Sequence, residues 1–239
     1  MIRTPVRLAA LALILGMSVA LAAPAGAQTT TTTRPPLDQL KAKANEEVTK
    51  RLEQLRKLDA AVAGARNDCG NNADLRSQLA ADKSGLEALN AEIQAETVPS
   101  EAAAEFKQIF TDFRIYWLET PKTHIVLGCD RVTGGAAKLT ALEAKIQARV
   151  DEAKADGKDV GDAQAALDTM VSEIASATAA ANQADDAVIV LKADKGDRAV
   201  LDANKAALDG ARQKLRAAMA DLKDARTAAR TAVDALKSA

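Results

Sequence analysis

The stretch that decides the fold is residues 197–237, DRAVLDANKAALDGARQKLRAAMADLKDARTAARTAVDALK. One series of mostly leucine positions recurs every seven residues, and a series of alanines recurs at the same interval, offset by three: Leu201, Leu208, Leu215, Leu222, Ala229 and Leu236, then Ala211, Ala218, Ala225 and Ala232. A seven-residue repeat places both series on one face of an α-helix. Because alanine is small, neighbouring helix backbones can approach to the lower end of the usual ~8–10 Å. We therefore expect one long helix packed lengthwise against others.

Outward from this stretch, apolar residues at three- and four-residue steps predict helices from Leu37 onward. The predicted helices span about 37–66, 73–97, 101–120, 122–155, 160–187 and 197–237. The fold class is therefore all-α, an elongated antiparallel helical bundle. We expect two three-helix units, residues 37–121 and 122–239, that share a long central helix of about 101–155 kinked near Pro121. The alternative is a hinge at Pro121 that folds both halves into one compact bundle.

Composition argues against several classes of protein. Lys+Arg is 32 and Asp+Glu is 33, so the chain lacks the basic excess of a general nucleic-acid binder. One histidine and two cysteines argue against zinc fingers, iron–sulfur clusters and multi-histidine metal sites. The sequence contains no phosphate-binding loop, nucleophile elbow or zinc-protease motif. We therefore predict no catalytic residue, no metal, no cofactor and no nucleic-acid partner.

The N-terminal part of the chain predicts secretion. Residues 1–27 read as a signal peptide, with two early arginines, an apolar run over 8–21 and a small-residue cleavage pattern at 25–27. A retained N-terminal anchor is the alternative. Residues 28–36, QTTTTTRPP, predict a disordered Thr/Pro-rich tether. The processed chain is then extracellular or in the cell envelope, with no integral membrane span.

Two cysteines in a secreted chain suggest a disulfide. Pro99 lies midway between Cys69 and Cys129 in sequence. Antiparallel helices that fold back at this proline would place the two cysteines at the same height. We predict a Cys69–Cys129 bridge, with a free or redox-active thiol and intermolecular pairing as alternatives.

All five aromatic residues fall between positions 106 and 117. Four have helical spacing on one face, and the apolar run Ile115–Leu118 extends around the helix. Arg114, Lys122, His124 and Arg131 add positive charge nearby. This segment is either a dense core where the two units meet or a binding surface, since aromatic residues and arginine dominate interfaces. The candidate binding surface consists of Phe106, Phe110, Phe113, Arg114, Tyr116 and Trp117.

Asp82 occupies a core position in the heptad seam of the second predicted helix. We predict a buried polar residue that fixes helix register, either partly hydrated or paired with an arginine of a neighbouring helix.

Four short segments together resemble a group of secreted, alanine-rich helical proteins of high-GC Gram-positive bacteria. They are DKSGL at 82–86, TDFRIY at 111–116, PKTHIV at 121–126 and DR at 130–131. The resemblance implies an extracellular or envelope setting and a helical, coiled-coil-like fold. The group has no assigned activity, so it carries over no functional residues. Alanines commonly precede the Asp-Arg pair in this group, and Gly128-Cys129 stands there in this chain.

The leading functional hypothesis is a secreted, non-enzymatic structural or protein-interaction module of the cell envelope. Its partner would be an envelope protein or another macromolecule, and the last predicted helix could also pair with a second copy. An extracellular holdase or lipid-binding protein that uses residues 106–118 is the alternative. A hydrolase working through acidic residues is a more distant one.

Overall fold

The computed structural model describes residues 36–239, and the predicted signal peptide and most of the predicted tether lie outside them. The α-helices are α1 (Leu37–Ala63), α2 (Asn72–Ala95), α3 (Pro99–Thr111), α4 (Thr120–Ala155), α5 (Gly161–Ile189) and α6 (Arg198–Ser238). A π-helical segment, here called the π turn, spans Ile115–Glu119 and leads directly into α4. The predicted all-α helical bundle is confirmed, and no strand occurs in the described part of the chain.

The central helix is interrupted at a different place from the one predicted. The sequence indicates a helix of about 101–155 with its kink near Pro121, whereas α3 ends at Thr111 and the backbone breaks at Asp112–Arg114. Pro121 instead lies in the first turn of α4. A proline is tolerated there because a first-turn N–H needs no intrahelical partner. The helical backbone is therefore continuous through Pro121, and the break lies at Asp112–Arg114 instead.

Two groups of helices overlap along α4. In the first group α1 and α2 run antiparallel, as the pairs Lys41–Gln94 and Asp59–Arg76 show. In the second group α5 returns along α4, and α6 then runs in the same direction as α4 beside it. The end of α5 also reaches α2, since Gln78 Nε2 donates to the Ile189 carbonyl at 2.9 Å. Residues 36–239 accordingly lie in one compact unit.

The leucine and alanine series of α6 form its buried face. Leu208, Leu215, Leu222 and the four alanines that recur from Ala211 to Ala232 are all buried. Asn204 continues the alanine series one heptad earlier and is also buried, with its Nδ2 donating to the Lys192 carbonyl at 2.8 Å. With 41 residues, α6 is about 60 Å long.

The predicted disulfide is present. The Sγ atoms of Cys69 and Cys129 are bonded, and the two Cα atoms are 6.1 Å apart. The bridge ties the turn between α1 and α2 to the middle of α4. Among the described residues, no helix combines the length and the hydropathy that a membrane span requires.

Candidate functional site

The aromatic segment, which begins at Phe106 within α3, contains a backbone break just after α3 ends. The loop between α5 and α6 stabilises this break. Arg114 adopts the left-handed conformation, with φ 49° and ψ 34°, which is unfavourable for a residue with a Cβ. Its guanidinium donates to both carboxylate oxygens of Asp194, at 2.6 and 2.9 Å. The Lys195 N–H also donates to the Thr111 carbonyl at 3.1 Å. These contacts hold the break in one conformation.

The surroundings of the Asp194 carboxylate favour its pairing with Arg114. It is buried, and besides Arg114 it accepts the Gly196 N–H at 2.8 Å. The Arg114 guanidinium is the main reason that the pKa of Asp194 lies below its usual value. A charge-assisted bidentate pair of this kind is stronger than a neutral hydrogen bond. The Arg114 guanidinium therefore holds the backbone of this segment in position and is not free to bind a partner.

The π turn decides which aromatic side chains face solvent. The Arg114 carbonyl accepts from the N–H groups of Trp117 at 3.0 Å and Leu118 at 2.7 Å. The Thr120 hydroxyl donates to the Ile115 carbonyl at 2.9 Å. The next residue, Pro121, has no N–H to donate. In this geometry Ile115 and Leu118 point into the core, whereas the neighbouring Tyr116 and Trp117 point outward.

The sequence does not decide whether the aromatic cluster is core or surface. In the structure, some of its side chains pack on the core and the others face solvent. Phe106, Phe110 and Phe113 are half-buried against the core. Tyr116 is 50% exposed and Trp117 is 37% exposed. We call these last two residues the aromatic edge. The candidate surface is therefore smaller than the predicted six residues, and the three phenylalanines serve chiefly in packing.

Each phenylalanine has a packing partner that explains its place. The rings of Phe106 and Phe110 meet edge to face at 5.3 Å. The buried Arg51 guanidinium lies over the Phe110 ring at 4.4 Å and over the Tyr116 ring at 5.3 Å. Phe113 packs on Gly85, where a Cβ would lie 2.6 Å from the ring. Cation–π contact with Arg51 thus fixes one face of Tyr116 and leaves its other surfaces to solvent.

The aromatic edge borders a groove of about 380 Å³ between α4 and α6. Thr120, Pro121 and His124 line it from α4. Lys205, Leu208, Asp209 and Arg212 line it from α6. Arg212 donates to Asp209 at 2.7 Å, so these two charges largely satisfy one another. The groove offers aromatic surface and a cation, which suits binding better than bond cleavage.

A buried polar network lies beneath the π turn, and the sequence analysis missed it. Lys122, one of the positive charges noted near the aromatic residues in sequence, is only 1% exposed. Its Nζ donates to Glu119 Oε1 at 2.9 Å, to Gln78 Oε1 at 2.9 Å and to the Leu191 carbonyl at 2.8 Å. Burial raises the pKa of Glu119 above its usual value, although Lys122 opposes this. The available signal was the spacing of Glu119 and Lys122, three residues apart directly after the apolar run Ile115–Leu118.

Asp82 lies half-buried on α2, close to this network. Burial, reinforced by the negative charge of Glu119, raises its pKa to about 7, while Lys122 lowers it. The nearby cation is thus a lysine of α4 rather than the arginine that the sequence analysis proposed. Whether Asp82 fixes the register of α2 stays a prediction.

A second polar cluster surrounds the disulfide. Asp130 accepts the Cys69 N–H and the Asn72 amide, both at 2.9 Å, and Asn71 donates to Asp185 at 2.8 Å. Burial raises the pKa of Asp185 to about 6. The two sulfurs and an Asp185 oxygen lie within 4.8 Å of one another, but the sulfurs are bonded to each other and so are not thiolate ligands. This cluster anchors the turn between α1 and α2.

Comparisons with known proteins add no assignment to this geometry. A scan of protein-family models, a search of curated proteins and a search of solved structures each returned no match to the chain.

Proposed function

We propose that the chain is a secreted, non-enzymatic helical module of the cell envelope that binds a protein partner through the aromatic edge and its groove. The observation that carries the proposal is the exposure of Tyr116 and Trp117 on a backbone held by Arg114, Asp194 and the π turn. Large aromatic side chains in fixed positions bind with little loss of conformational entropy. The predicted signal peptide and the disulfide support the secreted setting.

The groove indicates the chemistry of the partner. Lys205 is exposed and makes no ion pair among the residues the structure describes, and it lies beside the aromatic edge. A partner segment with an apolar side chain next to a carboxylate would complement both features.

The alternatives from the sequence have weaker support. A holdase needs a broad apolar surface, but the three phenylalanines of the aromatic segment pack against the core. A hydrolase working through acidic residues would need substrate to reach a carboxylate, and Glu119, the carboxylate nearest the aromatic edge in sequence, is buried under the π turn.

The test compares binding of envelope proteins by the wild type, Tyr116→Ala/Trp117→Ala and the control Met219→Ala. Met219 is an apolar residue of α6 that is 50% exposed, like Tyr116, and lies outside the groove. Each purified chain is immobilised and incubated with the envelope protein fraction. A retained protein is then purified and titrated against the wild type while Trp117 fluorescence is followed.

The proposal expects one protein to be retained equally by the wild type and Met219→Ala and at least tenfold less by the double variant. The same purified protein should shift Trp117 emission to the blue in a saturable titration. Equal retention by the double variant, or titration without any change in Trp117 emission, would contradict the proposal.

A further inference from the structure

A different surface of the α4–α6 seam combines unpaired positive charge with an apolar floor. A groove of about 660 Å³ lies between the end of α1, the middle of α4 and α6. A second groove of about 420 Å³ lies further along α4 and α6, and Arg226 lines both. We call these two spaces together the basic groove. Each of the two spaces falls in the size range of small-molecule sites, roughly 300–1,000 Å³.

The cations of the basic groove are available to a ligand. Arg131, Lys138, Arg226 and Arg230 line it and are exposed. Among the described helices, none of these four lies within 4.0 Å of a carboxylate as an ion pair. Two carboxylates line the groove, and both are engaged. Asp130 accepts the Cys69 N–H and the Asn72 amide, and Asp234 pairs with Lys237 at 2.8 Å. Since acidic and basic residues nearly balance over the whole chain, this local excess of positive charge favours an anionic ligand.

The floor of the basic groove is apolar. Leu127 and Leu139 lie in its first part, and Leu142, Ile146 and Val233 lie in its second. Leu142 is 41% exposed on a helix whose other apolar residues mostly face the core. At Gly135 a Cβ would lie 3.1 Å from Leu222 Cδ1, so the glycine lets α4 and α6 approach closely under the groove. A polyanion would make little favourable contact with this apolar floor. An acyl chain packed on the floor would bury its apolar surface away from water.

We infer that the basic groove binds a single-chain anionic amphiphile, a fatty acid being the simplest member of this class. The charged head group lies among Arg131, Lys138 and Arg226, and the chain extends over Leu139, Leu142 and Ile146. Guanidinium groups suit the head group because they pair with carboxylates and phosphates through two parallel hydrogen bonds. This site is separate from the aromatic edge, and neither proposal depends on the other.

The test is equilibrium binding of oleate below its micellar concentration to the full purified chain. Oleyl alcohol has the same chain without the charge, and butyrate has the charge without the long chain. The head-group variant is Arg131→Gln/Lys138→Gln/Arg226→Gln. Its matched control, Lys43→Gln/Lys107→Gln/Lys158→Gln, removes three exposed lysines outside the groove. Helical circular dichroism verifies that every variant is folded.

We expect saturable binding of oleate, at least tenfold weaker binding of oleyl alcohol and of butyrate, and weakening of oleate binding at high salt. The head-group variant should bind oleate at least tenfold more weakly than its control. Leu142→Ser should weaken oleate binding severalfold relative to Val171→Ser, a similarly exposed apolar position on α5 (48% against 41%).

Three outcomes would overturn the inference. Equal affinity for oleate and oleyl alcohol would show that the cations are not used, and equal affinity for oleate and butyrate would show that the floor is not used. Flotation with phosphatidylglycerol vesicles in the absence of oleate binding would show attraction to a charged membrane surface instead of a lipid site.

Discussion

The α5–α6 hairpin and the segment from Phe106 to Thr123 are stabilised in different ways. The hairpin is a regular repeat in which alanine layers let two helices meet along most of their length. The aromatic segment contains a left-handed residue, a π turn and a buried lysine, each stabilised by contacts from distant parts of the chain. The regular region therefore depends on side-chain volume, and the irregular region depends on charge pairing and hydrogen bonds. The aromatic edge and its groove lie at the start of α4, and the basic groove lies further along the same helix.

The largest expected effect lies in the irregular region. Lys122→Ala leaves Glu119 buried without its cation, and we expect a loss of about 3–5 kcal/mol in the free energy of unfolding. Lys138→Ala is the matched control, because Lys138 is an exposed lysine of the same helix. Urea unfolding of both variants measures the difference. A loss below about 1 kcal/mol for Lys122→Ala would mean that charge pairing is not what holds this region.

The disulfide joins α4 to the turn between α1 and α2, at the meeting point of the two groups of helices. Replacing both cysteines, Cys69→Ser/Cys129→Ser, opens a loop of 60 residues. The chain-entropy account predicts a loss of roughly 4 kcal/mol. Urea unfolding of the double variant and the oxidised wild type measures it. Unchanged stability would indicate that the polar contacts of Asp130 and Asp185 are sufficient to hold this turn.

The regular region should respond to added volume. Ala218 is buried in the alanine series of α6, so Ala218→Leu forces α6 away from its neighbours and should lower stability by about 1–3 kcal/mol. Ala220→Leu makes the same change at an exposed position of α6 and should have little effect. Thermal unfolding compares the two variants. Equal effects would contradict the assignment of the alanine layers as the packing surface.

The pH dependence of stability should come in part from Asp82. Its pKa is about 7 in the folded chain against 3.8 as the ordinary value, so the folded state binds this proton more tightly than the unfolded state does. The resulting stabilisation is complete below pH 3.8 and is lost as the pH rises through about 7. Asp82→Asn should therefore flatten this slope and raise stability at pH 8 by about 1–2 kcal/mol. Asp185, with a raised pKa of about 6, contributes a slope of the same sign that this variant keeps. Urea unfolding from pH 4 to pH 8 measures both, and an unchanged slope in Asp82→Asn would refute the assignment.

The smallest expected effect is at the aromatic edge. Trp117→Ala removes a partly exposed ring that the core does not need, so stability should change by about 0.5 kcal/mol or less. Phe110→Ala should be several times more destabilising, because Phe110 packs on the core and under Arg51. Urea unfolding of both variants checks this. A large loss for Trp117→Ala would assign the ring to packing and weaken the proposed binding role.

The regular parts of the fold could be predicted from sequence because their determinants are local. The heptads of α6 and the spacing of the two cysteines each indicate a structure that the chain adopts. The break at Asp112–Arg114 could not be predicted in this way. It depends on Asp194, which is 80 residues away from Arg114 in sequence, and no local sequence pattern predicts that contact. Pro121 is a strong local signal for an interrupted helix. The π turn before it accommodates the missing N–H, and the helix is not broken there.

The candidate site was predicted only in outline for the same reason. The density of aromatic residues identified the segment, but which rings face solvent depends on the π turn. Lysine usually lies at the surface, whereas three acceptors, from α2, the π turn and the loop after α5, hold Lys122 in the core. Sequence pattern and composition thus identify the segment that carries the candidate surface, but long-range polar contacts determine which of its side chains are exposed.

The measurement that tests the central claim most directly is acrylamide quenching of Trp117, the only tryptophan in the chain. It is made on the folded protein before and after addition of the envelope protein that the wild type retains. The account predicts red-shifted, readily quenched emission in the free chain, followed by a blue shift and protection from quenching on binding. Blue-shifted, poorly quenched emission in the free chain, or no protection on binding, would contradict an exposed aromatic edge that serves as a binding surface.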